Sequence, residues 1–182
     1  SAACAQMLCH FDLPSGAAAG MCDTKLPDSQ SGYEKGSTAV MAGLAGLNLV
    51  YESAGMHASL LGFSLESMII DNDMLGQCLR CVRGIEVNDY TLSFEPIKDV
   101  CLNGPGHYLG HDRTLAVMET EYVYPIISDR SSPKEWNENN KPEIINSAHN
   151  EVKDILENHK PIHISSETDK LIREKFKIYF TK

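Results

Sequence analysis

Met21, Cys22 and Asp23 close a run of small residues, and Tyr51 and Glu52 close a second, apolar run, with His57 and Phe63 on the loop that follows. The set combines carboxylates, aromatic rings, an imidazole and soft sulfurs. Aromatic faces attract a cation and carboxylates balance its charge, so these residue types suit a small organic cation held at the ends of neighbouring strands. They do not resemble a Ser-His-Asp triad or a sugar-cleaving carboxylate pair. Spacing alone leaves the plainer alternative open, a loop with helix-capping residues.

Other constellations are weaker. Cys78 and Cys81 form a C-x-x-C. A redox pair belongs at a helix start, where the macrodipole lowers a thiol pKa, and this pair lies late in a helix. No second pair stands at zinc spacing, so structural thiols are expected. His107 and His111 lie four apart, as in a helical metal site, but Gly110 weakens the helix and no third ligand is near. A helix-start role or a loop pinned by imidazole hydrogen bonds is the expectation. Gly104-Pro105-Gly106 lacks the spacing of a phosphate loop. Glu66, Asp71 and Asp73 read as a solvated or helix-dipole set.

Positioning the first set requires strands with loops at their carboxyl ends. Residues 1 to 12 read as the end of a helix stopped by Pro14 and Gly16, and Ala17 to Met21 as a short buried strand. A helix is predicted from Asp28 to Gly43, with Tyr33, Val40, Met41 and Leu44 on its apolar face. Leu47 to Tyr51 reads as a second strand, apolar enough to be buried on both faces of a parallel sheet. After a Gly-rich loop, Ser64 is the expected N-cap of a helix to Arg83, with Leu65, Met68, Ile69, Leu75, Leu79 and Val82 inward and Gly84 as its stop. This α-β-α-β-α order implies βα units and a parallel sheet. Beyond it, helices are expected over Val87 to Cys101, His107 to Tyr122, Glu143 to His159 and Glu167 to Tyr179. The stretch from Pro125 to Pro142, holding Trp136, reads as an irregular loop.

The 182 residues carry a formal charge of -9 and are 42% hydrophobic, as in one soluble domain. Dispersed Lys and Arg argue against nucleic acid, and no apolar run is long enough for a membrane span. The amino terminus lacks the basic region and apolar core of a signal peptide. Six cysteines in a chain longer than a disulfide mini-fold suggest reduced thiols and a cytoplasmic protein. The chain opens inside a helical pattern with no initiating Met, which reads as a piece of a longer protein.

The stretch from Asp23 to Met56, DTKLPDSQSGYEKGSTAVMAGLAGLNLVYESAGM, the block from Ser64 to Asp89, and GPGHYLGHDRTL from Gly104 to Leu115 resemble, in order, the carboxyl-terminal part of the trimethylamine methyltransferase family. That resemblance implies the last part of a (β/α)8 TIM barrel, which needs about 250 residues when complete. Residues 1–84 would be its last βα units and residues 85–182 a helical extension packed on the barrel. It implies transfer of a methyl group from trimethylamine to the Co(I) corrinoid of a separate carrier protein, so this chain itself would bind no cofactor and no metal. Trimethylamine must be held positive, by a proton or an adduct, to leave as a neutral amine, whereas a quaternary amine such as glycine betaine already is positive. Trimethylamine enzymes of the family carry pyrrolysine at a barrel-strand end, and distance from the carboxyl terminus puts that position at Met21. Either Met21 is genuine, as in members that lack pyrrolysine and use quaternary amines, or it stands in for an encoded pyrrolysine. The expected catalytic set is Met21, Asp23 and His57, with Cys22, Tyr51, Glu52 and Phe63 around the amine. The expected partners are the corrinoid carrier, a small methylated amine and further copies of the protein. Two other classes remain: a binding module completed by a partner chain, and a redox protein using Cys78 and Cys81.

Overall fold

The computed structural model describes residues 2–159 and 163–177. Most of its helices begin where a short polar side chain takes up an amide left free in the first turn. Asp28, extended at φ -116°, accepts the N–H of Ser31 and starts α2 (Ser29–Leu44). Ser64 accepts the N–H of Ser67 and starts α3 (Leu65–Arg83), which Gly84 ends at φ 72°. The Ser64 cap matches the sequence reading, and α2 begins one residue after its expected start at Asp28. Helix α1 (Ala2–His10) precedes them.

Between these helices lie two small sheets. Strand β1 (Gly16–Ala18) pairs in parallel with β2 (Leu49–Tyr51), Ala17 opposite Val50, and α2 forms the connection between them. The parallel βα order expected from the sequence is present, but both strands are shorter than expected. β1 stops at Ala18, so Met21 sits beyond the strand, after a turn at Gly20. Leu49 is 62% exposed and Tyr51 48%, so β2 is not covered on both faces by the described residues. The Gly-rich loop holds a hairpin the sequence reading missed, β3 (Met56–His57) antiparallel to β4 (Gly62–Phe63). Two-residue strands carry too little alternation to be read from sequence.

The helix faces also differ from expectation. On α2 the buried residues are Ser31, Lys35, Ala39 and Ala42, while Tyr33, Met41 and Leu44 are exposed. On α3 the buried residues are Ser67, Asp71, Asp73 and Cys78, while Leu65, Met68, Leu79 and Val82 are at least 38% exposed. The inward faces are small and polar because the helices approach closely: a Cβ on Gly43 would overlap the side chain of Val82. Asp71 and Asp73 are therefore buried, not solvated.

Helix α3 packs on α2 and on α8 (Ile144–Asn158), whose Ala148 and Val152 are buried against it. The helix expected over Val87 to Cys101 is broken. Ser93, at φ 53°, separates α4 (Asp89–Leu92) from α5 (Phe94–Lys98), and a π-helical turn follows at Asp99–Asn103. Helix α6 (Asp112–Glu121) begins five residues later than expected, and α7 (Pro133–Glu138), capped by Ser132, interrupts the presumed loop around Trp136. Helix α9 (Ser166–Lys175) is the last, and Tyr179 lies outside the described residues. The described chain is mixed and mostly helical, with two two-stranded sheets and no closed barrel among the described residues. No helix of the described residues is long and apolar enough to cross a membrane.

Candidate functional site

Gly20 turns the chain out of β1 at φ 82°, and its N–H donates to Oγ1 of Thr38 on α2. A Cβ there would lie 2.8 Å from the carbonyl of Ser53, so the turn needs glycine. Met21, Cys22 and Asp23 follow along the rim of α2. The backbone N–H of Asp23 donates to Oε2 of Glu34 at 2.8 Å, and Gln30 donates to the other carboxylate oxygen.

The β3–β4 hairpin supplies the opposite rim. Its tip, Ala58, Ser59 and Leu60, has three successive residues at positive φ, 51°, 53° and 72°. Each non-glycine residue held there costs about 1–2 kcal/mol, and such strain persists where surrounding structure fixes it. Here the fixing bonds run to the Met21 loop. Ala58 N–H donates to the carbonyl of Thr24, Ser59 N–H to that of Cys22, and Ser59 Oγ to Oδ1 of Asp23 at 2.5 Å. A concavity of about 550 Å³ opens between the two rims, lined by Met21, Asp23, Tyr33, Glu34, Ser59 and Leu60 among others. It offers a thioether, an aromatic ring and two carboxylates, a lining that suits a small organic cation.

Beneath the rim the polar groups are buried. Cys22 is 3% exposed and His57 4%, with Sγ 3.2 Å from Nδ1. Nδ1 also lies 3.3 Å from the Thr24 carbonyl, while Nε2 faces Ser67 Oγ at 2.6 Å and Lys35 Nζ at 3.4 Å. Lys35 is ion-paired with Asp71, which also accepts the N–H of Gly55. Burial pushes the Cys22 thiol up, partly offset by the Lys35 ammonium and reinforced by Glu34 and Asp71. Cys22 is therefore a thiol at neutral pH and not a nucleophilic thiolate.

Of the residues singled out from the sequence, Met21, Cys22, Asp23 and His57 lie together. Tyr51 and Glu52 do not line the concavity. Tyr51 ends β2 with its ring beside Gly16, and Glu52 follows at φ 61°. Phe63 lies on β4 and lines a smaller pocket with Lys25, Pro27 and His57. Tyr33, Glu34, Lys35, Ser59, Ser67 and Asp71 were not singled out as site residues. The one available signal was Lys35 itself, placed four residues from Ser31 and from Ala39 on a face of small residues.

The remaining constellations have structural roles. Cys78 is buried against Met74 and the Gly36 carbonyl, and Cys81 is exposed. Burial, reinforced by Cys81, pushes the Cys78 thiol up, the opposite of what a redox pair needs. His111 caps α6 by accepting the N–H of Arg113, the helix-start role expected of this pair. No group of metal-ligating side chains occurs among the described residues.

The family model described as trimethylamine methyltransferase (MTTB) matches residues 1–178. Trimethylamine methyltransferase MttB of Methanosarcina thermophila is 36% identical over 164 residues, covering 89% of this chain and 33% of that protein. The Methanosarcina barkeri MttB is 33% identical over 167 residues, 92% of this chain and 33% of that protein. A glycine betaine methyltransferase of Desulfitobacterium hafniense (strain Y51) is 32% identical over 168 residues, 92% of this chain and 34% of that protein. The chain thus spans about a third of the length of the curated relatives it matches.

Proposed function

Since the chain belongs to the trimethylamine methyltransferase family, we propose that it is the carboxyl-terminal portion of an enzyme that moves a methyl group from trimethylamine to the corrinoid of a cognate carrier protein. The observation that carries this reading is the Met21 concavity, at the position the family resemblance marks for substrate activation. Its lining is one a methylated ammonium group would select: Asp23 and Glu34 offset positive charge, and Tyr33 offers an aromatic face. The protein's part in such a reaction is positional. It holds one methyl group toward the mouth, where the carrier presents its corrinoid, and keeps the nitrogen cationic until it departs neutral. The corrinoid belongs to the carrier as methyl acceptor and supplies the nucleophilic cobalt. No residue of this chain is required to ligate it.

In this reading the parallel β1–β2 pair belongs to the last units of a (β/α)8 barrel, within residues 1–84, and residues 85–182 form the extension packed on it. The exposed faces of Leu49 and Tyr51 then meet strands from the rest of the longer polypeptide. The setting is cytoplasmic and the assembly a homo-oligomer. Glycine betaine is the second substrate, favoured by one observation. A thioether at residue 21 cannot form an amine adduct, and a quaternary amine needs none.

The test uses the full-length protein with its reduced corrinoid carrier and, in turn, trimethylamine and glycine betaine. Methylation of the corrinoid, read from its absorption, is expected with one of the two. No change with any amine overturns the enzyme reading and leaves the binding-module alternative.

A further inference from the structure

His57 is nearly sealed from solvent, and its two ring nitrogens face partners of opposite kind. Nδ1 lies 3.3 Å from the backbone carbonyl of Thr24, which can only accept. Nε2 lies 3.4 Å from the ammonium of Lys35, which can only donate. Both constraints give the same answer. Nδ1 carries the hydrogen and Nε2 is the acceptor, which the Ser67 hydroxyl at 2.6 Å also satisfies as donor. Cys22 fits the scheme, its thiol donating to the Met56 carbonyl at 3.4 Å while its sulfur faces Nδ1–H.

We propose that Lys35 is a positioning residue for the amine site: held by Asp71, it fixes His57 as the neutral Nδ1–H tautomer, and the imidazole grips Cys22 and Thr24 so that Met21 and Asp23 face the concavity. The proposal rests on the amine-site reading of that concavity. It makes His57 a fixed donor beneath the loop and not a proton acceptor toward substrate, from which burial separates it. Lys35 is suited to the task because an ammonium cannot accept a hydrogen bond, so no other neutral tautomer satisfies both ring nitrogens. Asp71 holds the ammonium in place at 2.7 Å, and its carboxylate also takes the N–H of Gly55, two residues before His57. Four segments are thereby tied to one ring: the Met21 loop, the hairpin, α2 and α3.

The test begins with the unmodified full-length protein, labelled with 15N-histidine. His57, assigned by loss of its signals in His57→Asn, is expected to show a neutral ring with the hydrogen on Nδ1. A hydrogen on Nε2, or an imidazolium at neutral pH, overturns the proposal without any activity measurement. The second arm is Lys35→Met with Asp71→Asn, which removes both charges and keeps an oxygen for Gly55 N–H. Here the Nδ1–H preference is expected to weaken, with only the Thr24 carbonyl and the Ser67 hydroxyl left to hold it, alkylation of Cys22 to quicken by about tenfold, and kcat to fall about tenfold with KM changed less than about threefold. An unchanged tautomer and unchanged Cys22 protection overturn it. His57→Asn, whose amide donor mimics Nδ1–H, is expected to retain Cys22 protection, and His57→Gln, which mimics the other nitrogen, to lose it; the reverse order counts against the proposal. If the unmodified protein transfers no methyl group from any amine, the substrate reading fails while the tautomer and protection arms still decide the role of Lys35.

Discussion

Nζ of Lys35 lies 2.7 Å from Oδ2 of Asp71, with side chains 1% and 6% exposed, so an ion pair occupies the α2–α3 contact where a hydrophobic layer would be usual. Lys35 is the largest fully buried side chain among the described residues. Removing one partner strands the other charge in the interior. Lys35→Met alone is expected to cost about 3–5 kcal/mol, and Lys35→Met with Asp71→Asn distinctly less, because the desolvation penalty of both ions disappears with them. Denaturant unfolding of the full-length protein measures both. A double-variant loss equal to the sum of the losses of Lys35→Met and Asp71→Asn alone would show that the pair is not energetically coupled.

The turn at Gly20 separates strain that matters to the site from strain that does not. Gly20→Ala would place Cβ 2.8 Å from the Ser53 carbonyl at φ 82°, whereas Gly84→Ala at φ 72° meets nothing within 4 Å. Both substitutions carry the backbone cost of a non-glycine residue at positive φ, about 1–3 kcal/mol. Only the first also shifts the loop that bears Met21, so it alone is expected to reduce methyl transfer, by about tenfold or more, since small misplacements at a reacting centre are costly. Comparing kcat/KM with the unfolding midpoint for the two variants checks this.

These two relationships mark the line between what could and could not be read from the chain. The start of α2 near Asp28, the cap at Ser64 and the stop at Gly84 were legible because each depends on one residue and the backbone next to it. So was the parallel β1–β2 order, which follows from a helix between two short apolar runs. The inward faces of α2 and α3 were not. Apolar periodicity points to whatever surface a helix buries most, and here Tyr33, Met41 and Leu44 are left uncovered by the described residues while Lys35 is sealed by Asp71, thirty-six positions away. The same holds at the site. Met21, Cys22 and Asp23 are adjacent in sequence and stood out together, but Ser59 reaches Asp23 only through a hairpin with two-residue strands, and Glu34 only through the bend at Gly20. Pairings between distant residues that depend on a turn leave no local pattern.

Asp73 gives the fold a pH dependence of known sign. It accepts N–H bonds from Ile126, Ile127 and Ser128 at 2.8 to 3.0 Å and a hydroxyl from Ser128, tying that segment to α3. Burial alone would raise its pKa, but these four hydrogen bonds together outweigh it and hold the carboxyl below the ordinary range. A carboxyl lowered on folding contributes stability above its unfolded pKa, about 3.9, and loses it as pH falls through the lower folded value. The contribution is therefore complete at neutral pH and fades only in acid below about pH 4. Asp73→Asn is expected to destabilise at pH 7 by about 1.5–3 kcal/mol and to approach the unmodified protein as acid protonates Asp73. Hydrogen exchange at Ile126 to Ser128 should rise in the variant at neutral pH. A stability difference that does not narrow in acid would contradict this.

Glu34 and Asp23 face the same concavity, and Glu34 also holds the Asp23 backbone, so removing charge and removing that acceptor predict different kinetic losses. Glu34→Gln keeps an oxygen for Asp23 N–H while removing the charge and the acceptor for Gln30, so it is expected to raise KM for a cationic amine by about tenfold with kcat little changed. Asp23→Asn also keeps an acceptor for Ser59 and is expected to act the same way. Glu34→Ala removes the acceptor that holds the Asp23 backbone and is expected to lower kcat as well. Steady-state kinetics with trimethylamine and glycine betaine separate these cases, and a Glu34→Gln enzyme with unchanged KM would remove the carboxylate from the amine site.

The identity of residue 21 carries the sharpest expectation. Met21 lines the concavity beside Asp23 and Glu34, and its thioether offers neither a proton nor an electrophile to an amine nitrogen. A neutral amine bound there would have no route to a positive nitrogen through residue 21, and its methyl group would remain on a poor leaving group. A protein with a genuine methionine at this position is therefore expected to be inactive on trimethylamine and to transfer a methyl group only from a quaternary amine, whose charge is permanent. Trimethylamine activity instead requires that Met21 stand in for another residue in the natural protein. Mass spectrometry of the peptide spanning Gly20 to Lys25 from the source organism measures the residue directly, and the two amine assays on that same preparation measure the consequence. Methionine together with trimethylamine turnover would break the link between residue 21 and substrate charge.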